Sequence, residues 1–186
     1  MRFYKSLDVR NFDTSEVTDM LSMFEGCEKV TSFRVSKFKT SKITNLGFMF
    51  QNCKLLPEIN IHNFDTSQAT NLSRMFKYWA SLTSIDISNF ITDLSEDLQS
   101  MFEGCTALTS IDMSHFKTNK CEDMTGMFRS CEALTNIDLS NFDTKPVTKM
   151  NHMFNGCKKL EFLDLSSFNT SKTREMPSIF QSCEKL

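Results

Sequence analysis

The sequence is poor in glycine, proline, tryptophan and tyrosine: five Gly, three Pro, one Trp and two Tyr in 186 residues. The few glycines form no phosphate-binding loop motif. No apolar run approaches the roughly 20 residues of a membrane span, so no spanning helix is expected in this segment. Neither sign of charge is in excess. Lys and Arg number 21 against 23 Asp and Glu, a net −2, whereas a protein that neutralises phosphates carries a basic surplus; no nucleic-acid partner is expected. No Cys-x-x-Cys or similar ligand cluster occurs, so no metal site is assigned. His62, His115 and His152 never recur in register and have no evident triad partner, so they read as surface residues. Without a catalytic, cofactor-binding or metal residue to name, the chain is expected not to be an enzyme and to need no cofactor.

What is abundant is Phe, Met and Cys, and their placement is regular. Phe recurs at 12, 38, 64, 90, 116, 142 and 168, a step of 26, with Thr two residues after each. A second Phe recurs at 24, 50, 76, 102, 128, 154 and 180. Three residues after that comes Cys, except at Trp79. An aliphatic closes each unit, from Val30 and Leu56 to Leu186. No copy carries an insertion or deletion. The repeat units are residues 5–30, 31–56, 57–82, 83–108, 109–134, 135–160 and 161–186. They are expected to form one repeat domain, a piece of a longer array.

Each unit combines two patterns. Ile85-x-Ile87, Ile111-x-Met113 and Ile137-x-Leu139 alternate apolar and polar residues, the mark of a short half-buried strand. Val17, Met20, Phe24 and Cys27 step by three, four and three, which predicts one face of a helix. Ser15, Ser41, Ser67, Asp93, Asn119 and Ser171 precede that stretch as N-caps. Pro146 falls at the first helical position, and Gly26, Gly104 and Gly156 fall where a helix should stop. Pro177 lies inside the last predicted helix and should kink it. One strand and one helix cannot bury their own apolar faces, so the units must stack, with like residues piled into ladders and strands parallel about 4.8 Å apart. The Thr column should supply hydroxyls to backbone groups at the turn. The expected fold is α/β: a right-handed, leucine-rich-repeat-like solenoid of seven repeats, each one short parallel strand plus one helix. The cysteines read as buried free thiols, because Trp79 fills the same slot.

The string Cys-x-x-Leu-x-x-Ile-x-Met-x-x-Phe at Cys105–Phe116 has leucine-rich-repeat spacing, with Phe where that superfamily usually has Asn. The longer phrase Asn-Phe-Asp-Thr-x-x-Val-Thr-x-Met-x-x-Met-Phe-x-Gly-Cys, at Asn11–Cys27 and Asn141–Cys157, resembles the 26-residue repeat of BspA-type leucine-rich-repeat surface proteins. Departures are local: Lys77-Tyr78-Trp79 replaces Glu-Gly-Cys, Ser95 sits in the Val17 column, and Pro177 enters the last copy. The resemblance implies a cell-surface or extracellular adhesion or recognition module. Seven unpaired thiols point the other way, to a reducing compartment and an intracellular scaffold or self-assembling array.

The candidate binding face is the column that alternates with the strand core: Asp8, Arg34, Asn60, Asp86, Asp112, Asp138 and Asp164. Four consecutive Asp form an acidic stripe, flanked by hydroxyls such as Ser88 and Ser114, and Arg34 and Asn60 change the charge at one end. Phe162 stands on the same face where most copies have Ser or Asn, and an exposed aromatic there can anchor a partner. Phe48, Tyr78 and Trp79 are lesser candidates. The expected partner is a protein, with a host or matrix protein the surface reading and end-to-end self-association the alternative. Residues Met1 to Lys5 form no secretion signal, because no apolar stretch follows them.

Overall fold

The computed structural model describes residues 5–186. The reading of the opening residues as lacking a signal therefore falls mostly outside the described residues. Strands β1 (Lys5–Leu7) and β2 (Val30–Phe33) pair in parallel, with Ser6 opposite Ser32 and Leu7 opposite Phe33. The partners are one repeat apart, so the chain winds into coils and each coil lies on the next.

The expected helices are absent from the described residues. In their place each coil makes an arc of four-residue turns. Thr14 O accepts from Val17 N at 3.1 Å, Met20 O from Met23 N at 3.2 Å, and Phe24 O from Cys27 N at 3.2 Å. Two positions per arc have left-handed backbone. One column runs Ser22, Phe48, Arg74, Ser100, Gly126, His152 and Ser178, the other Gly26, Asn52, Tyr78, Gly104, Ser130, Gly156 and Ser182, all at φ between 55° and 77°. An α-helix needs negative φ at every residue, so one such residue ends it. A hydrogen-bonded turn with positive φ only at its third residue is a type II turn, where Gly and Asn are favoured. Gly26 and Gly104 are therefore turn residues and not helix stops. The misleading apolar spacing has the same cause: the first and last residues of successive turns all face inward, which reproduces steps of three and four.

The proline placed against the helix rule fits the turn rule. Pro177 occupies the second residue of the turn Met176–Ile179, where a φ near −65° is wanted, and Ser178 follows at φ 56°. In five other copies the N–H at this column is held by an Asp or Asn side chain two residues earlier, as in Leu21 N to Asp19 Oδ1 at 2.7 Å and Gln99 N to Asp97 Oδ1 at 2.8 Å. The last copy has Glu175 there, and Pro177 has no N–H to satisfy. The supposed N-caps also change role. Ser15 and Ser67 donate their own N–H to Asp13 and Asp65 at 3.0 and 2.9 Å. Pro146 sits third in the turn Thr144–Val147, closed at 3.0 Å.

Across the arcs, neighbouring coils are joined by alternate backbone N–H groups. Met20, Ser22, Phe24 and Gly26 donate to Asn45, Gly47, Met49 and Gln51 at 2.8–3.0 Å, and this quartet recurs at every step through Gly156 to Gln181. Inside, the second Phe column forms one stack from Phe24 to Phe180, with centroids 5.4–6.2 Å apart and planes within 16°. The Thr column does form a hydroxyl ladder. Thr66 Oγ1 donates to Ile91 O at 2.8 Å and accepts from Ile91 N at 2.8 Å, and Thr92 does the same with Lys117 at 2.9 Å. The thiols of Cys105, Cys131 and Cys157 donate to Phe76, Phe102 and Phe128 carbonyls one coil back, at 3.1–3.2 Å. Burial pushes the Cys105 and Cys157 thiols up to about 12. Trp79 is fully buried in the same slot, and its indole N–H donates to the Leu56 carbonyl.

The strand side is less bonded than expected. Beyond β2 no further strand forms among the described residues. Later coils share single bonds there, such as Thr109 N to Thr83 O at 3.2 Å and Glu161 N to Thr135 O at 3.0 Å. The inward–outward alternation nevertheless holds: Ile87 and Leu139 are buried while Asp86 and Asp138 are exposed.

Candidate partner-binding face

On this open side each Asp of the stripe is held by the Ser two residues on. Asp86 Oδ1 accepts from Ser88 N and Oγ at 3.0 and 2.7 Å, and Asp112 Oδ1 from Ser114 N and Oγ at 2.9 and 2.6 Å. Asp138 and Asp164 accept from the N–H of Ser140 and Ser166 at 2.9 and 2.8 Å. The Asp-x-Ser spacing writes this local turn into the sequence. One carboxylate oxygen is thereby fixed, and all four side chains stay exposed. The Ser hydrogen bonds favour the ionised form and hold these carboxyls below the usual value of 3.8. The stripe is therefore charged at neutral pH and well into the acid range.

The seven candidate residues do not form one cluster. Phe162, 69% exposed, borders a shallow hollow of about 460 Å³ together with Ile137, Asp138 and Asp164. Asn60 and Asp86 border a second hollow of about 490 Å³ with His62 and Glu58. Arg34 lies beyond, beside Arg10 and Asn60. Asp112 stands between the two hollows in sequence. Asp8 is neutralised by Arg10, whose guanidinium grips both carboxylate oxygens at 2.6–3.0 Å and lowers it to about 2. The acidic surface thus begins at Asp86. Among the described residues no three His, Cys, Asp or Glu side chains gather as a metal site.

Sequence reasoning missed two features, one of them near this face. His115 is half-buried, and its Nε2 meets the Ile87 carbonyl at 2.8 Å. It takes the role of Asn63, Asn89 and Asn141, whose side-chain amides donate to carbonyls of the coil before. His115 is therefore a ladder residue and not a surface histidine. The signal was its column, where Asn recurs. The second feature lies on the arc side. Glu103, 6% exposed, takes Lys77 at 2.8 Å, the Tyr78 hydroxyl at 3.2 Å and Arg129 at 3.9 Å. The odd Lys77-Tyr78-Trp79 triplet is one inter-coil clasp, with the Tyr78 ring lying where Gly104 has no side chain. Phe48 is half-buried beneath the Arg74 guanidinium at 4.8 Å.

Two stretches, residues 2–111 and 96–186, match the family described as Mycoplasma protein of unknown function, DUF285. The chain belongs to this family. No curated protein matches it. Among solved structures, this DUF285 chain resembles a leucine-rich repeat protein from Eubacterium ventriosum at 16% identity and a TM-score of 0.50. That match covers 81% of this chain and 45% of the other, so the chain spans under half of that relative's length. A leucine-rich repeat protein of T. pallidum matches at 15% identity and a TM-score of 0.45, covering 83% of this chain and 77% of its own. At such identities the first likeness shows the fold alone: a leucine-rich-repeat-like repeat protein. No helix among the described residues is long and apolar enough to cross a membrane.

Proposed function

We propose that this chain is a non-enzymatic binding module that recognises a protein partner through the open side of its coils. The observation that carries the reading is the fixed acidic register. Asp86, Asp112, Asp138 and Asp164 recur once per coil, each with one oxygen locked by a Ser and the rest of the carboxylate facing solvent. A surface ordered before binding lowers the cost of association. Beside the last two Asp, Phe162 offers an apolar anchor over a hollow, and such exposed aromatics carry a large share of binding energy. The complementary partner surface is basic with an apolar pocket. Arg34 and Asn60 end the acidic run and set its polarity.

The BspA-type resemblance of Asn11–Cys27 and Asn141–Cys157 supports placing this recognition at a cell surface, against a host or matrix protein. The test immobilises the chain and measures retention of a panel of matrix and host proteins. Asp112→Lys with Asp138→Lys should abolish retention and leave the thermal midpoint in place, and Phe162→Ala should weaken it. Unchanged retention in the double variant would remove the function from this face.

A further inference from the structure

The two hollows of the open side are one feature built twice. Ile59, Ile61 and Asp86 of the first stand in the same columns as Ile137, Leu139 and Asp164 of the second, three repeats further on, and Asn60 matches Asp138 in the same way. Each hollow is formed by three consecutive coils, and neither is an end face of the array. The floors are apolar, with Ile61, Ile137 and Leu139 buried. The rims carry the carboxylates of Glu58 and Asp86 in the first and of Asp138 and Asp164 in the second. All four are exposed, and among the described residues none is in an ion pair. Arg34, the one basic residue of the column, lines neither hollow. The first hollow has a cause in the sequence. In later coils the residue of this column donates its N–H one coil back, as Thr109 does to Thr83 O at 3.2 Å and Thr135 to Thr109 O at 3.4 Å. Pro57 has no N–H to give. Among the described residues, 58–61 make no backbone–backbone hydrogen bond with either neighbouring coil.

We infer that the partner of this face is a protein segment carrying two arginines, one seated in each hollow. The inference rests on the proposed partner face and adds to it the chemistry and spacing of what binds there. A side chain that fits must be a cation, to meet rim carboxylates that have no cation of their own. It must also carry an apolar stem, to cover floors of Ile and Leu. Arginine meets both demands: its guanidinium is weakly hydrated, and its fork of donors matches a carboxylate. Asp86 and Asp164 each hold a Ser through Oδ1, which leaves Oδ2 for the guest. In the second hollow the Phe162 ring adds a face on which a guanidinium stacks. Three coil steps of about 4.8 Å put the hollows about 14 Å apart. That is too far for one arginine and near enough for two on a short segment, where the second seat is filled at high effective concentration. Asp112 lies between the hollows and lines neither.

The spacing gives the test. The whole chain is titrated by NMR with three synthetic proline-rich peptides: one with a single arginine, and two with a pair of arginines separated by one proline or by five. In a polyproline helix five prolines put both arginines on one face about 19 Å apart, within reach of side chains that converge on the hollows, whereas one proline spans only about 6 Å. The five-proline peptide should bind about tenfold more tightly than the single-arginine peptide, and the one-proline peptide should show no such gain. Asp86→Asn and Asp164→Asn should each remove the gain and leave the turn to Ser intact, since Asn169 holds Ser171 N in the same way at 3.0 Å. So should Pro57→Thr, which restores the N–H of its column and closes the first hollow. Lysine in both places should bind more weakly, and equal binding would overturn the choice of arginine. No gain from the second arginine overturns the inference, as does a gain that survives loss of either hollow. Failure here is separable from failure of the face. A protein still retained by the chain with Asp86→Asn and Asp164→Asn, but lost with Asp112→Lys and Asp138→Lys, would keep the face and reject the two seats.

Discussion

The two sides of each coil have the same repeat, the same neighbours and opposite bonding. On the arc side, at least five backbone hydrogen bonds cross every step, backed by the Thr hydroxyls, the thiols and the stacked Phe rings. On the strand side, coils past β2 share at most one backbone bond per step, and hollows open between the side chains. The arc has spent its polar groups on its neighbours. The strand side keeps its carboxylates, hydroxyls and one exposed Phe free for something else. The bonded side fixes the spacing, and the open side inherits it.

Four variants would break or sharpen that contrast. The largest effect is expected from Phe128→Ala. Its ring is fully buried between Phe102 and Phe154, at 6.0 and 5.8 Å, and truncation leaves a cavity in the stack. A loss of about 3–5 kcal/mol is expected in urea unfolding. A loss below 1 kcal/mol, roughly a surface-scale effect, would mean that the arc side does not hold the coils together. Next comes Thr66→Val, which keeps the shape but removes both hydrogen bonds to Ile91 and strands two backbone groups. It should cost about 1–3 kcal/mol, whereas Ser114→Ala on the open side should change stability by no more than about 0.5 kcal/mol. Equal losses would erase the contrast. The smallest effect, and the most diagnostic in sign, is Pro177→Ala. In a helix this change would stabilise, whereas at the second residue of a turn it frees the unfolded chain and should lower stability by about 0.4–1 kcal/mol. A rise in the melting temperature would restore the helical reading.

The contrast also explains how far the residues alone could be read. Period, stacking, inward Phe columns and the Thr ladder were legible because each is a property of one column repeated seven times. The outward Asp stripe was legible for the same reason, through its alternation with Ile and Leu. The helix was not, because inward residues spaced by three and four fit both a helix and a run of turns. The discriminating signal was present in the small and polar residues of the Ser22 and Gly26 columns, but Phe48, Arg74 and Tyr78 blur it. His115 was misread because its role lies in the column and not in its own chemistry.

What the sequence determined by itself is the register: an uninterrupted 26-residue period leaves one way to lay like residues on like, whatever the local backbone does. Only the tertiary structure decided the local conformation. A left-handed Phe48 or Arg74 costs about 1–2 kcal/mol in isolation, and that cost is met only when its N–H finds the carbonyl of the next coil, at 2.8 Å for each. The choice between helix and turn was thus made by hydrogen bonds between residues 25 apart, which no window along the chain contains.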